Sequence, residues 1–506
     1  MIRYKFSLGF WGAAGFALLA VLIGAAYWPS LWHVARGDQL NYLAELSLRH
    51  GFMDTVFGTV DINRTRVFAP GDPIAFRPLL LFILGLQKYI FGYGFMGWQI
   101  VSLMVHLFVC GALYALLYRI RGGLFAFLGT GMFALAPVNI EPVTWHHITP
   151  YLLFAGCALM ALRNLYAAEY DDAKAGSHAA AAVGWMLPAA FLYEAGIWYA
   201  LCMGVFLWSR GWRGAAYGMA ALVVLYFGTD VADLFWRHAF AALQADEVSF
   251  HGSFLLTLTN IALLGKWFLS AFFFLGSADL IPVTRMMVRP DVVGWAWPWG
   301  QPISFSLGLG VAALIAAAVV LGQNVLRRGV GKNGAMLVLC FVLMAGYLAA
   351  IAVGRINAQG AFGMRVGLYY PYNFLTLALV IFALVSSGGG VVPGKPLDKL
   401  VKAFGACIIA VVVVSYAVIS YRVTAQMAHD HRQNRIFIGQ LDRYVKAHEK
   451  EPGFSFYIGP EYPGNYTADW VRRRGDAPGR LYTVAEALYF PQFTRDHPKY
   501  VIKYEH

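Results

Sequence analysis

Charged residues are scarce in this chain of 506 residues, since Asp, Glu, Lys and Arg together make up only 13%. An ordinary soluble domain carries about 25% charged residues, so the composition excludes a typical soluble globular protein. Hydrophobic residues instead reach 59%. Apolar runs of about 20 residues, the length that crosses a bilayer core, recur as far as residue 421. We therefore predict an all-α polytopic membrane protein.

Cysteine is rare as well: five residues, all inside apolar runs and none in a Cys-x-x-Cys spacing. This excludes a disulfide framework, and neither zinc nor another divalent metal is indicated. No basic stretch is interleaved with aromatic residues in a polar segment, so the net charge of +12 does not indicate nucleic-acid binding. The basic residues instead separate the apolar runs, as cytoplasmic loops do. We expect no required cofactor and no nucleic-acid partner.

The pattern predicts about 11–13 transmembrane helices within residues 1–421 and a small soluble α/β domain over residues 422–506. The first apolar run lacks a small-residue cleavage pattern, so we expect it to be a retained span. Phe76–Gly92 is short and begins with Arg77-Pro78, which favours an interfacial or half-buried helix. Strand-like runs occur at Phe454–Ile458 and Val501–Tyr504. The predicted spans are 6–28, 96–118, 123–138, 150–168, 179–193, 194–208, 214–229, 254–276, 302–323, 335–353, 369–387 and 402–421.

The distribution of Lys and Arg predicts the orientation of these spans in a plasma membrane, in bacteria the inner membrane. It puts the loop 29–95 and residues 422–506 on the extracytoplasmic face. One conflict arises around Arg327, Arg328 and Lys332, which would fall outside if 254–276 crossed fully. Either 254–276 returns to its own side, or the hairpin around Glu194 is not two full crossings.

Ionisable residues near or inside the membrane are costly unless they are paired or face a wet cavity, so each one is a site hypothesis. The first outer loop begins with Asp38, about ten residues after the first span. The later positions are Glu141, Glu194, Lys266, Arg355 and Arg365.

Structural explanations compete with each of these roles. Asp38 is equally well read as a helix N-cap, and Glu141 and Glu194 as acids held by nearby arginines or backbone donors. Lys266 more readily extends its charge to the membrane surface. His146 and His147 are adjacent on a helix and point about 100° apart, so they would not chelate a metal together; surface or supporting positions suit them better.

The order of these features resembles the GT-C class of integral-membrane glycosyltransferases. The resemblance rests on the acid Asp38, the Arg77-Pro78-Leu79 start, and Pro137-Val138-Asn139-Ile140-Glu141-Pro142-Val143-Thr144-Trp145. The last is similar to a Pro-x-x-x-Glu-x-Val-x-Trp pattern of bacterial members and of the transmembrane O-mannosyltransferases with TPR repeats. Tyr193-Glu194 stands where those families often carry Lys-Glu, and Arg365 with Tyr369 resembles their late Arg-x-x-x-Tyr. This chain departs from them in its single acid after the first span, in Tyr193 and in lacking TPR repeats.

The resemblance implies transfer of a sugar from a polyprenyl-phosphate donor to an extracytoplasmic glycan, lipid or protein acceptor. A lipid phosphate is a good leaving group, so a base and cations suffice, whereas glycosidases need two carboxylates. Asp38 would be the base of an inverting displacement. Arg365, helped by Arg355 or Lys266, would hold the phosphate. The residues Glu141, Glu194, His146, His147, Arg77 and Tyr369 would bind sugar or acceptor or orient loops.

Two other functions fit parts of the pattern. An O-antigen ligase or polymerase would also act on a lipid-linked sugar, but it would carry its working arginines in a large late outer loop. A flippase or transporter would explain intramembrane charges, but no duplicated halves with matching broken helices are visible.

Overall fold

The computed structural model describes residues 9–34, 46, 51–57, 77–236, 332–354, 369–387, 396–432, 457–458 and 502–503. These residues form helices joined by short turns and one pair of two-residue strands. The helices are α1 Phe10–Tyr27, α2 Gly51–Phe57, α3 Pro78–Phe91, α4 Phe95–Arg121, α5 Gly123–Ala134, α6 Ile140–Thr144, α7 Thr149–Tyr170, α8 Ala175–Leu192, α9 Ala195–Ser209, α10 Arg213–Trp236, α11 Lys332–Gly354, α12 Tyr369–Ser387 and α13 Pro396–Asp430.

Seven of the described helical segments are long and apolar enough to cross a membrane, or eight if α5 and the bent segment after it form one span. The described part of the chain is therefore a helical multi-pass membrane protein. The shorter apolar helices are α3, α9 and the part of α12 from Pro371. The predicted spans 254–276 and 302–323 lie outside the described residues; each of the others coincides with a helix.

The α3 helix confirms the interpretation of Phe76–Gly92 as a helix beginning at Arg77-Pro78, since Pro78 is its first residue. Proline suits this position because the N–H groups of the first helical turn have no partner within the helix, so the N–H that proline lacks is not needed. Gly85 lies so close to α2 that an added Cβ would be 2.4 Å from the carbonyl oxygen of Thr55. The two helices thus pack backbone to backbone.

Several described basic residues between helices lie at one end of the bundle, here named the cationic end. Arg210 Nε contacts Glu169 Oε1 at 2.8 Å, and Lys332 Nζ contacts Asp172 Oδ1 at 3.7 Å. These contacts join the end of α7 to the start of α10 and of α11. The helices α4 and α7 run parallel, because Gln99 bonds His146 and Ser102 bonds Thr149 with the same sequence offset. Arg119 and Arg121 therefore lie at the cationic end too.

The hairpin of α8 and α9 runs from the cationic end to the opposite end and back. It starts just after Asp171, turns at Tyr193-Glu194 and returns to Arg210. At its apex, a Cβ added at Gly196 would lie 2.5 Å from the carbonyl oxygen of Ala189. Asp172–Leu192 is long enough to cross a membrane and α9 is a shorter apolar helix, so the alternative that the hairpin is not two full crossings stays a prediction.

The predicted span 123–138 is not one continuous helix, because α5 ends at Ala134 and the chain bends by 53°. Pro137 explains the break, since it lacks an N–H and disfavours helical backbone at the residue before it. The chain then continues through short helical pieces, Pro137–Asn139, α6 and His146–Ile148, into α7. We call residues 135–148 the broken segment. Every residue from 128 to 150 is buried.

Carbonyl groups released by this break are bonded by side chains from other helices. The Phe133 oxygen accepts from Asn139 Nδ2 at 2.6 Å. The Ala134 oxygen accepts from His106 Nε2 at 3.1 Å and from the Tyr27 hydroxyl at 3.3 Å. The Leu135 oxygen accepts from Ser420 Oγ at 3.0 Å. Irregular backbone is tolerated at membrane depth only with such internal partners, so α1, α4 and α13 together hold the break.

The last long helix, α13, continues to Asp430, well past the predicted end of the final span at residue 421. Beyond it, the described strands Tyr457–Ile458 and Ile502–Lys503 pair antiparallel, within the two predicted strand-like runs. The rest of the predicted C-terminal domain lies outside the described residues, so an α/β domain there stays a prediction.

Candidate functional site

An ion pair between Arg77 and Glu194 marks the end of the bundle opposite the cationic end. Arg77 Nε donates to Glu194 Oε1 at 2.5 Å, and Arg77 Nη1 donates to the Tyr151 hydroxyl. The pair joins the start of α3 to the turn between α8 and α9, across 117 residues of sequence. The structure therefore brings together two of the predicted site residues.

Aromatic rings enclose the Arg77 guanidinium. Its central carbon lies 5.3 Å from the ring centroid of Tyr151 and 5.4 Å from that of Tyr193. The two rings pack edge to face at 4.9 Å. Such contacts with a cation contribute about 0.5–1 kcal/mol at exposed sites and more where water is excluded. Tyr193, which replaces the lysine of the resembled families, here supplies a ring face for a cation.

Two opposing effects act on the pKa of Arg77. Burial, the larger single effect, lowers it, but the Glu194 carboxylate and the two tyrosines together raise it well above its ordinary value. Arg77 therefore stays cationic at any physiological pH. The side chains of Arg77 and Glu194 are 26% and 36% exposed, so both charges remain accessible from this end of the bundle.

A small pocket lies next to this pair. It is lined by Ile148, Tyr151, Leu152, Phe154, Tyr193, Tyr347, Tyr372 and Asn373. Its walls come from the end of the broken segment, α7, the α8–α9 turn, α11 and α12. Most of its lining is aromatic, and its volume of about 10 Å³ leaves room for about one water molecule.

Glu141 lies inside the protein, in α6 of the broken segment, and its side chain is 1% exposed. Because the residue is buried, it does not lie on the protein surface. A buried carboxylate is energetically costly unless other groups compensate its charge. Both predicted roles, a structural acid and a substrate contact, place it in the interior and stay predictions.

His146 and His147 are also buried, at 0% and 7% exposure, so the predicted surface position is wrong for both. His146 Nε2 bonds Gln99 Oε1 at 2.7 Å, while Gln99 Nε2 donates to the Val143 carbonyl at 3.1 Å. The amide oxygen of Gln99 must accept, so Nε2 of His146 carries the proton. In the neutral ring, Nδ1 is then the basic nitrogen.

His106 was not among the predicted site residues, although it interrupts an apolar span. Its Nε2 donates to the Ala134 carbonyl, so the neutral ring accepts at Nδ1 from the Tyr372 hydroxyl at 2.7 Å. Tyr372 also lines the pocket. The sequence signal for His106 was a polar ring in a hydrophobic run. Its hydrogen-bond partner Tyr372 is 266 residues away and could not be predicted from the sequence.

The remaining predicted site residues lie outside the described part of the chain: Asp38, Lys266, Arg355 and Arg365. The backbone of Tyr369 is described as the first residue of α12. Within the described ranges, no group of three or more His, Cys, Asp and Glu side chains is arranged to hold a metal ion. All five cysteines are free thiols.

No family model matches this chain, and no curated protein matches it. Two solved structures are similar to it. The oligosaccharyltransferase of Archaeoglobus fulgidus, in complex with Zn and sulfate, is 16% identical with a TM-score of 0.41; the match covers 86% of this chain and 56% of that one. ArnT from Cupriavidus metallidurans, bound to undecaprenyl phosphate, is 14% identical with a TM-score of 0.40; the match covers 89% of this chain and 83% of that one. The chain thus spans little more than half the length of the archaeal enzyme, and similarity at this level defines no activity for it.

Proposed function

We propose that this chain is a membrane glycosyltransferase that moves a sugar from a polyprenyl-phosphate donor to an acceptor at the end of the bundle that holds Arg77 and Glu194. One observation carries the proposal: the described segments that lead to Asp38, Arg355 and Arg365 all reach this end. The sequence resemblance to the GT-C class is consistent with it.

Chain connectivity supports the proximity of the three unseen residues to this end. The Tyr27 hydroxyl bonds the Ala134 carbonyl, and the chain runs on from Tyr27 to Val34, four residues before Asp38.

Chain connectivity applies to the two arginines in the same way. Arg355 directly follows α11, whose Tyr347 ring lies 6.4 Å from that of Tyr193. Arg365 comes four residues before α12, which starts beside the pocket. An acid and two cations can therefore act at the same membrane face.

The proposed reaction is a single displacement at the anomeric carbon of the donor sugar. Asp38 takes the proton of the acceptor hydroxyl, whose oxygen forms the new bond as the bond to the carrier phosphate breaks. Arg365, with Arg355 or Lys266, receives the charge that develops on the departing phosphate. Arg77 and Glu194 offer a guanidinium and a carboxylate that suit sugar hydroxyls.

The test uses purified full-length protein in nanodiscs, a radiolabelled polyprenyl-phosphate hexose and an envelope extract from a deletion strain as the acceptor source. Wild type should transfer label to the extract and release polyprenyl phosphate. Asp38→Asn should lower the rate by about 100-fold or more, the lower range for a lost general base, with donor binding unchanged. The matched control, Asp61→Asn, removes another acid of the same loop and should keep wild-type activity.

Turnover in Asp38→Asn at the wild-type rate would remove Asp38 from the base role. Movement of intact labelled donor across the bilayer of a liposome, without cleavage of the sugar–phosphate bond, would identify a flippase instead and refute the enzyme.

A further inference from the structure

Two arginines approach each other near the cationic end, far along the helices from the pocket. Arg119 lies at the end of α4 and Arg163 in the last third of α7. The constant offset between these parallel helices, set by the bonds Gln99–His146 and Ser102–Thr149, brings Arg119 within about a turn of Arg163. Their charges lie close enough to repel.

No acid compensates Arg163 among the described residues. Its Nη1 contacts only Met160 Sδ at 4.0 Å, and its Nε is buried without a hydrogen-bond partner. Of the two acids near the end of α7, Glu169 pairs with Arg210 Nε at 2.8 Å, whereas Asp171 lies 3.8 Å from His178 Nε2, too far for a hydrogen bond.

Further charged residues lie near the start of α8. His178 in α8 feels the charge of Asp171 first, and then the positive charges of Arg119 and Lys174. A half-buried cation beside other cations is costly, and a membrane-depth arginine without an acid calls for an anionic partner.

Arg163 lies close enough to the end of its helix for its side chain to extend toward a phospholipid headgroup. It precedes the end of α7 by seven residues, which corresponds to about 10 Å of helix. Headgroup regions add several ångströms on each side of the hydrocarbon core, and arginine extends its charge toward them. Basic pockets between transmembrane helices are a known setting for acidic lipid headgroups.

We propose that Arg119 and Arg163 form a binding site for the phosphate of an anionic phospholipid at the cationic end. The phosphate oxygens accept hydrogen bonds from the Arg163 guanidinium, whose planar fork suits a bidentate contact, while Arg119 adds charge. A lipid is favoured over free phosphate because both arginines belong to membrane-spanning helices. The inference is independent of the proposed transferase activity.

The test is native mass spectrometry of the full chain in detergent, titrated with phosphatidylglycerol or phosphatidylethanolamine. Wild type should retain phosphatidylglycerol in preference to phosphatidylethanolamine. Arg163→Gln and Arg119→Gln should each weaken phosphatidylglycerol binding by about tenfold, as expected for one charge-assisted phosphate contact. Arg121→Gln removes an exposed arginine from the same end of α4 and should bind like wild type.

Equal binding of both lipids by wild type, or unchanged phosphatidylglycerol binding in Arg163→Gln, would overturn the site. Full competition by millimolar inorganic phosphate would show that the ligand is free phosphate and overturn the lipid assignment. If Arg163→Gln does not fold, Arg163→Lys replaces it. Because lysine keeps the charge but not the bidentate geometry, this variant should bind phosphatidylglycerol more weakly than wild type and more strongly than Arg119→Gln. Binding at the wild-type level would contradict the bidentate contact.

Discussion

Removing the charge of Glu194 tests whether the ion pair with Arg77 holds the candidate site together. Glu194→Gln keeps the size of the side chain and an oxygen that can accept from Arg77 Nε, but it deletes the attraction between the charges. The hydrogen bond between Arg77 and Tyr151 stays in place, and so do the contacts of the guanidinium with both tyrosine rings.

The expected size follows from the exposure of the pair. Fully exposed pairs contribute about 0.2–1 kcal/mol, and breaking a fully buried pair costs about 3–5 kcal/mol. With side chains 26% and 36% exposed, solvent screens the Arg77–Glu194 pair only in part. We expect a coupling energy of about 1–2 kcal/mol, between these limits.

The assay is a double-mutant cycle of Arg77→Met and Glu194→Gln, with the free energy of unfolding measured by SDS titration in mixed micelles. The control cycle combines Arg77→Met with Asp171→Asn at the cationic end, where no coupling is expected. Distant pairs add within about 0.5 kcal/mol, so the control defines the noise. A Glu194 cycle that is additive within this range would refute a stabilising role for the pair.

Two further predictions concern the hairpin and the donor. Gly196→Ala places a Cβ 2.5 Å from the Ala189 carbonyl oxygen and should destabilise the protein by about 1–3 kcal/mol in the same SDS titration. The control Gly184→Ala in α8 meets nothing within 4 Å and should stabilise the protein slightly. Equal effects of the two substitutions would contradict the close packing at the apex. Arg365→Ala should weaken binding of a polyprenyl-phosphate sugar by about 10–100-fold through loss of one charge-assisted contact, measured by microscale thermophoresis, and unchanged affinity would exclude Arg365 from the phosphate site.

The membrane helices were predictable because their signal is local. A run of apolar residues identifies a span whatever it packs against, and Arg77-Pro78 marked the start of α3 correctly. The bend after Ala134 was less visible. Pro137 indicated a break, but the residues on both sides of it are apolar and read as one span. The side chains that hydrogen-bond the released carbonyl groups come from α1 and α13, which are far away in the sequence.

The candidate site was predictable only as separate residues. Glu194 and Arg77 stood out as charges near the membrane, yet their contact spans 117 residues and depends on how α3 packs beside the α8–α9 turn. The role of Tyr151 had no signal, since a tyrosine at the start of an apolar helix is common at a membrane interface. The burial of His146 likewise depends on Gln99, from another helix.

The bond from Ser420 to the Leu135 carbonyl sets an order for biogenesis. While the ribosome is still making the middle of the chain, the interrupted stretch after Ala134 has no partner for this oxygen, because α13 has not been synthesised. The early helices must wait in the bilayer, with water or the insertion machinery serving that group, until the final hydrophobic segment arrives. A chain truncated before residue 396 would therefore lack the hydroxyl that bonds this carbonyl in the folded protein.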